Sequence, residues 1–112
     1  MADKSFRKYT QVAAGDMSDI VEHDEVIPNG EKWVLQFFAA GDINYGNNKS
    51  SGYIIRFGNE ILRFFVFTGD SDRKPISLEV TGNGVDKINV IRRNYDTINK
   101  ILPFSLEMFS RG

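Results

Sequence analysis

Read along its length, the chain is a succession of short apolar runs that alternate residue by residue, each closed by Gly, Asn, Asp or Pro. Period-two alternation is what a half-buried strand requires, because successive side chains on a strand point to opposite faces. Lys32 to Ala40 (KWVLQFFAA) shows it most clearly. Trp33, Leu35, Phe37 and Ala39 fall on one face; Val34, Gln36, Phe38 and Ala40 fall on the other.

The same grammar predicts a strand over Phe6 to Val12 and a polar edge strand over Ile20 to Val26 (IVEHDEV). Charges on that edge discourage pairing with other chains. Between Ile20–Val26 and the Trp33 strand, Pro28-Asn29-Gly30 reads as a turn in which Pro sets φ and Gly supplies a positive φ. Tyr53 to Phe57 and Glu60 to Thr68 flank Gly58-Asn59, a hairpin signal. The second arm, EILRFFVFT, is apolar on both faces, which predicts a position in the middle of a sheet. Ile76 to Thr81 and Val85 to Arg92 flank Gly82-Asn83-Gly84, a second hairpin signal. Ile98, Ile101 and Leu102 sit at helical spacing, so one helical turn is expected before Pro103. Phe104 to Phe109 closes the chain as a strand with Phe104, Leu106 and Met108 on one face.

About eight short strands in 112 residues predict one all-β domain over 1–112. Two antiparallel sheets laid face to face bury the inner faces of such strands, and a jelly roll is the commonest eight-stranded arrangement. The expected fold is an antiparallel two-sheet β-sandwich, jelly-roll-like. Nine Phe, four Tyr and one Trp supply the volume for its core.

Charge constrains the partners. Lys and Arg total 14 against 15 acids, a net charge of −1, so the chain lacks the clustered positive excess that nucleic acid or an anionic membrane surface would require. The charge is nonetheless divided. Residues 16–31 hold six acids (Asp16, Asp19, Glu22, Asp24, Glu25, Glu31) and no Lys or Arg, whereas Lys4, Arg7, Lys8, Lys87, Arg92, Arg93 and Lys100 make the two ends basic. Such a split describes either solvated strand faces or complementary patches that join copies of the chain. No run approaches the ~20 apolar residues of a spanning helix, and the opening MADKSFRKY has no apolar signal core. Synthesis in the cytoplasm is the expectation.

Catalytic sets are hard to assemble from this inventory. There is no Cys, which removes thiol chemistry and Cys-based zinc sites. The single His, His23, adjoins Asp24, but neighbours on a strand face opposite ways. The 15 acids fall in no recognisable paired-carboxylate motif, and a cupin-like enzyme would need a His-rich metal cluster. The expectation is a protein that is not an enzyme.

Two binding features remain. Gly-Asp pairs end three strands, and Asp42, Asp70 and Asp72 have the loop positions and spacing of hard-cation ligands. Calcium is the cofactor such oxygen donors would take, although Gly and Asp are also the ordinary residues of turns. In the 41–52 loop, Tyr45 is flanked by Asn44, Asn47 and Asn48, an aromatic ring among amides of the kind that reads sugar hydroxyls.

The string VIPNGEKWVLQFFAAGD (26–42) resembles the opening strand of small β-sandwich modules in tailed-phage virion accessory proteins, of the tail-fibre and capsid-decoration type. GNGVDKINVIRRN (82–94) resembles the strand that follows in some of them. Glu31-Lys32 departs from that pattern, in which a single basic residue is usual. The resemblance implies a non-enzymatic structural or adhesion module that forms a homo-oligomer or docks on a larger protein assembly such as a virion. The alternative, drawn from the loops, is a carbohydrate-binding β-sandwich that takes a glycan, with or without calcium.

Overall fold

The computed structural model describes residues 4–40, 50–68 and 73–111. Among the described residues ten strands form in chain order: β1 (Lys4–Lys8), β2 (Gln11–Val12), β3 (Asp19–Val26), β4 (Lys32–Ala40), β5 (Ser50–Phe57), β6 (Glu60–Thr68), β7 (Arg73–Thr81), β8 (Lys87–Asn94), β9 (Lys100–Ile101) and β10 (Phe104–Ser110). One four-stranded sheet runs β1-β10-β4-β7, the other β3-β8-β5-β6, and β2 pairs with β9 in a two-stranded ribbon. Every pairing is antiparallel. Consecutive long strands change sheet at each step except β5 to β6, which is the interleaving of a jelly roll. The expected fold is therefore the observed one.

The core forms where the two inner faces meet. Trp33, Leu35, Phe37, Phe104, Leu106 and Met108 from one sheet pack in one cluster with Tyr53, Ile55, Phe57, Ile88 and Val90 from the other. Phe37 stacks on Phe104, with centroids 5.7 Å apart, and meets the Tyr53 ring edge-on across the sandwich at 5.8 Å. Such ring pairs each add about 0.5–1.5 kcal/mol beyond area burial. The Tyr53 hydroxyl reaches the core's margin and donates to the Pro103 carbonyl at 2.9 Å.

Several local expectations are corrected. The Phe6–Val12 run breaks into β1 and β2 rather than forming one strand. Lys100–Ile101 pairs with Gln11–Val12 as a short strand, so no helical turn forms there. β6 has β5 as its one paired neighbour and is an edge strand, not a central one. The Gly82-Asn83-Gly84 turn is no hairpin either. It carries the chain from β7 in one sheet to β8 in the other, and its backbone is locked to the Pro28–Gly30 turn, where the other crossing occurs. Gly30 N donates to Gly82 O at 2.9 Å, and Gly82 N to Glu31 O at 2.7 Å. A methyl at Gly82 would collide with the Pro28 carbonyl oxygen, so the two crossings touch only because that position lacks a side chain. Gly30 adopts φ +82°, as the turn reading requires.

The divided charge closes on itself. Asp19 pairs with Arg92 at 2.7 Å, Glu22 faces Lys87 at 3.9 Å, and Glu25 pairs with Lys4. The acidic stretch thus meets the basic ends within one molecule, and neither solvated faces nor patches between copies fully describes it. Two of the basic residues are not on the surface at all. Arg92 is 1% exposed and Lys100 is fully buried, the latter 3.2 Å from the equally buried Asp96. Asn94 completes this polar end of the sandwich, its amide donating to the carbonyls of Val12, Ala13 and Ile98. These bonds satisfy backbone groups left unpaired where β2, β9 and the neighbouring turns close the sandwich.

Candidate functional site

The loop residues singled out from sequence, namely Tyr45, Asn44, Asn47 and Asn48 as ligand contacts and Asp42, Asp70 and Asp72 as metal ligands, lie outside the described residues. Asp16 of the Gly15-Asp16 pair, and Asp19 three residues on, are described. Asp16 accepts from Ser18 N at 2.9 Å, capping its own turn, and Asp19 is taken by Arg92. Among the described residues, no three His, Asp or Glu side chains converge as a metal site. His23 is half-buried, its ring edge-on to Phe6 at 5.5 Å, and its Nδ1 accepts from Glu25 N at 3.2 Å. That is a packing role at the β1–β3 margin of the sandwich.

What the structure does bring together lies on the outward face of β3-β8-β5-β6. Tyr53, Ile55 and Phe57 point into the core, so Gly52, Ile54 and Arg56 point out. The register then fixes three rows across the sheet. The middle row is apolar from edge to edge: Ile20 on β3, Ile91 on β8, Ile54 on β5 and Phe64 on β6. Its two central members are 8% and 5% exposed, yet neither belongs to the core cluster; its two ends, Ile20 at 53% and Phe64 at 48%, stand open. One flanking row holds Arg93, Gly52 and Val66. The other holds Glu22, Asn89, Arg56 and Ile61. Successive rows are two residues apart along the strands, about 7 Å.

Polar groups on this face are held in place. Arg56 Nε donates to Asn89 Oδ1 at 2.8 Å, and Asn89 Nδ2 donates to the Gly58 carbonyl at 3.3 Å. Arg93 Nε donates to the Met17 carbonyl at 3.2 Å, while its guanidinium carbon sits 5.8 Å from the Phe64 ring centroid. Gly52 leaves room for a second ring: the position a β-carbon would occupy is 3.1 Å from the Tyr95 ring and its hydroxyl. Tyr95 therefore lies down on the sheet beside Arg93. An aromatic ring with amides and guanidinium groups around it can stack on an apolar ligand face while bonding its hydroxyl or anionic groups.

The sequence reading points to the loops rather than to this face, whose local signal lies in the consecutive Ile54-Ile55 and in the apolarity of β6 on both sides.

The sequence matches no protein-family model and no curated protein. Solved structures do resemble it. A carbohydrate-binding module of the CBM4 type aligns over 90% of this chain and 81% of its own, with 10% identity and a TM-score of 0.51. A structure of Bacillus endospore appendages, described as disulfide-linked pili, aligns over 97% and 88%, with 8% identity and a TM-score of 0.51. The CBM36-1 domain of a multidomain xylanase from the hindgut metagenome of Trinervitermes trinervoides aligns over 97% and 99%, with 10% identity and a TM-score of 0.49. At such identities the likeness establishes the fold: this chain shares the β-sandwich of small modules. It carries the resemblance noted in the sequence as far as that fold and lends no support to a phage setting.

Proposed function

We propose that this chain is a non-enzymatic carbohydrate-binding module that works through the outward face of β3-β8-β5-β6. The observation that carries the reading is the half-exposed Phe64 ring at the end of a sheet-wide apolar row, with Arg93 and Arg56 on neighbouring strands and Tyr95 just beyond the end of β8. A sugar ring offers an apolar C–H face for stacking and hydroxyls for planar hydrogen-bonding side chains. A ring and polar groups fixed on a rigid sheet bind it with little ordering cost. The fold likeness to a CBM4-type module is compatible with this use of the scaffold but does not transfer it. The test is a glycan array followed by affinity electrophoresis of the wild type and F64A. Retarded migration in a polysaccharide gel that F64A abolishes supports the reading. Silence on the array, or binding that F64A leaves intact, removes it. Repeating the gel with calcium and with a chelator tests the Asp42, Asp70 and Asp72 assignment separately.

A second reading, an assembling structural or adhesion module such as a virion component, is favoured by one feature. β6 is nine residues long, paired on one side only, and exposes Ile61, Phe64 and Val66. A long apolar edge is a template for strand addition. Native mass spectrometry distinguishes the two readings: a discrete homo-oligomer that V66K returns to monomer supports assembly, and a monomer at high concentration removes it.

A further inference from the structure

We infer that the ligand of this face is an acidic glycan, one bearing carboxylate or sulfate groups, and that Arg56 and Arg93 are the residues that select it. The inference rests on the carbohydrate-binding reading above and adds the ligand's charge to it.

The argument begins from how the two guanidinium groups are held. Each uses Nε to bond a protein oxygen, Arg56 to the Asn89 side chain and Arg93 to the Met17 carbonyl. Among the described residues neither Nη1 nor Nη2 of either arginine has a hydrogen-bond or ion-pair partner. The buried Arg92 next in sequence shows the contrast: its Nε and both Nη atoms are all occupied. An arginine anchored through Nε has lost most of its rotamer freedom already. Its remaining fork presents parallel N–H groups with the geometry of a carboxylate or sulfate edge.

Placement extends the argument. Arg93 and Arg56 occupy the two rows that flank the apolar row, Arg93 opposite Gly52 and Arg56 opposite Asn89. Gly52 and Arg56 are four residues apart on β5, so the two rows that carry the arginines lie about 13 Å apart along the strands. That span suits a short oligosaccharide crossing the apolar row beside the half-exposed Phe64 ring, with an anionic substituent near each end. The local charge agrees. The three rows contain two arginines and one acid, Glu22, which already faces Lys87. The face is thus positive in a chain whose net charge is −1. A neutral glycan would leave both forks without a matched acceptor, whereas an anionic one fills them.

The experiment is isothermal titration of the full chain with three oligosaccharides of similar length: a neutral xylo-oligosaccharide, an oligogalacturonide and a sulfated chondroitin oligosaccharide. A single-stranded oligonucleotide serves as an anionic control. The expected result is binding of one or both acidic sugars at least tenfold tighter than the neutral one, weakening as salt rises. R56Q and R93Q should each lose tenfold or more of that affinity while melting normally, and R93K should recover only part of it because an ammonium lacks the fork. Preference for the uronate assigns the forks to carboxylate, and preference for the chondroitin assigns them to sulfate; either supports the inference. Equal binding of neutral and acidic sugars, unchanged by R56Q and R93Q, overturns it while the carbohydrate-binding reading stands. Binding of the oligonucleotide in preference to every sugar, or binding of no sugar at all, overturns both.

Discussion

Replacing Arg92 by methionine tests the account of what closes the sandwich. Arg92 sits on β8 at 1% exposure and makes four hydrogen bonds. Nε donates to Asp19 Oδ2 at 2.7 Å, Nη1 to the carbonyls of Thr10 at 3.0 Å and Leu102 at 2.7 Å, and Nη2 to Thr10 Oγ1 at 2.8 Å. Thr10 lies between β1 and β2, and Leu102 between β9 and β10, so one side chain ties both crossings at this end to β8 and β3. Methionine retains most of the volume and none of the donors. Three acceptors, the two carbonyls and the Thr10 hydroxyl, lose their charged donor, at about 1 kcal/mol or more apiece. Asp19 is 29% exposed and regains water, so its share is about 1 kcal/mol at most. The sum is ~3–4 kcal/mol, within the range for breaking a buried pair from one side. For a domain of this size that lowers Tm by about 12–20 °C. D19N, which leaves the other three bonds in place, should cost ~1 kcal/mol. Urea unfolding followed by Trp33 fluorescence measures both. If R92M unfolds within 1 kcal/mol of wild type, or D19N costs as much as R92M, the reasoning fails: either the carbonyls find water, or Asp19 carries the site.

Three further outcomes follow from the geometry. G82A should destabilise by ~2–3 kcal/mol through collision with the Pro28 carbonyl, whereas G30A, at φ +82° with open space around it, should cost only ~1 kcal/mol; thermal melts of the two variants rank them. Glu25 should titrate below the usual carboxylate range because Lys4 both hydrogen-bonds and attracts it. A carboxylate whose folded-state pKa is depressed adds stability above its unfolded pKa and loses it as pH falls, so K4Q should restore an ordinary Glu25 titration by NMR and flatten the acid limb of the stability curve. F64S should cost no more than about 1–2 kcal/mol, since half of the ring is already in water. A much larger cost by urea unfolding would show that the ring belongs to the core.

The fold was legible wherever one strand's own pattern decided the matter. The alternation of Trp33, Leu35 and Phe37, and that of Phe104, Leu106 and Met108, placed those residues inward without any knowledge of their neighbours, and all six lie in the core cluster. It failed where long-range partners decide. Asn-Gly turns have the same local chemistry whether they return a strand to its own sheet or carry it to the other, so Gly82-Asn83-Gly84 read as a hairpin when it is a crossing. Arg92 and Lys100 read as surface charge because nothing local announces that Asp19 is 73 residues away across the β3–β8 pair, or that Asp96 lies beside Lys100 at the closed end. The helical spacing of Ile98, Ile101 and Leu102 gave way to two backbone pairings with β2.

β6 is the instructive error, because it separates residues the fold uses from residues it does not. Apolarity on both faces of a strand has two physical meanings: the strand is covered on both sides, or one side is a surface kept apolar against the solvent. The topology excludes the first for β6, which lies at an edge with Ile61, Phe64 and Val66 open to water. Core packing cannot account for the row that ends in Phe64, since Ile54 and Ile91, its best-covered members, stand outside the core cluster. Large apolar side chains left open at the ends of such a row, beside anchored arginines, are more often a binding surface than idle solvent-facing sheet. The consequence is separable: substituting threonine at Ile20 and Val66 together should leave unfolding free energy within ~1 kcal/mol, raise solubility, and weaken ligand binding. If the doubly substituted chain instead unfolds several kcal/mol more easily, the stripe is structural, and the working surface has to be sought elsewhere on the molecule.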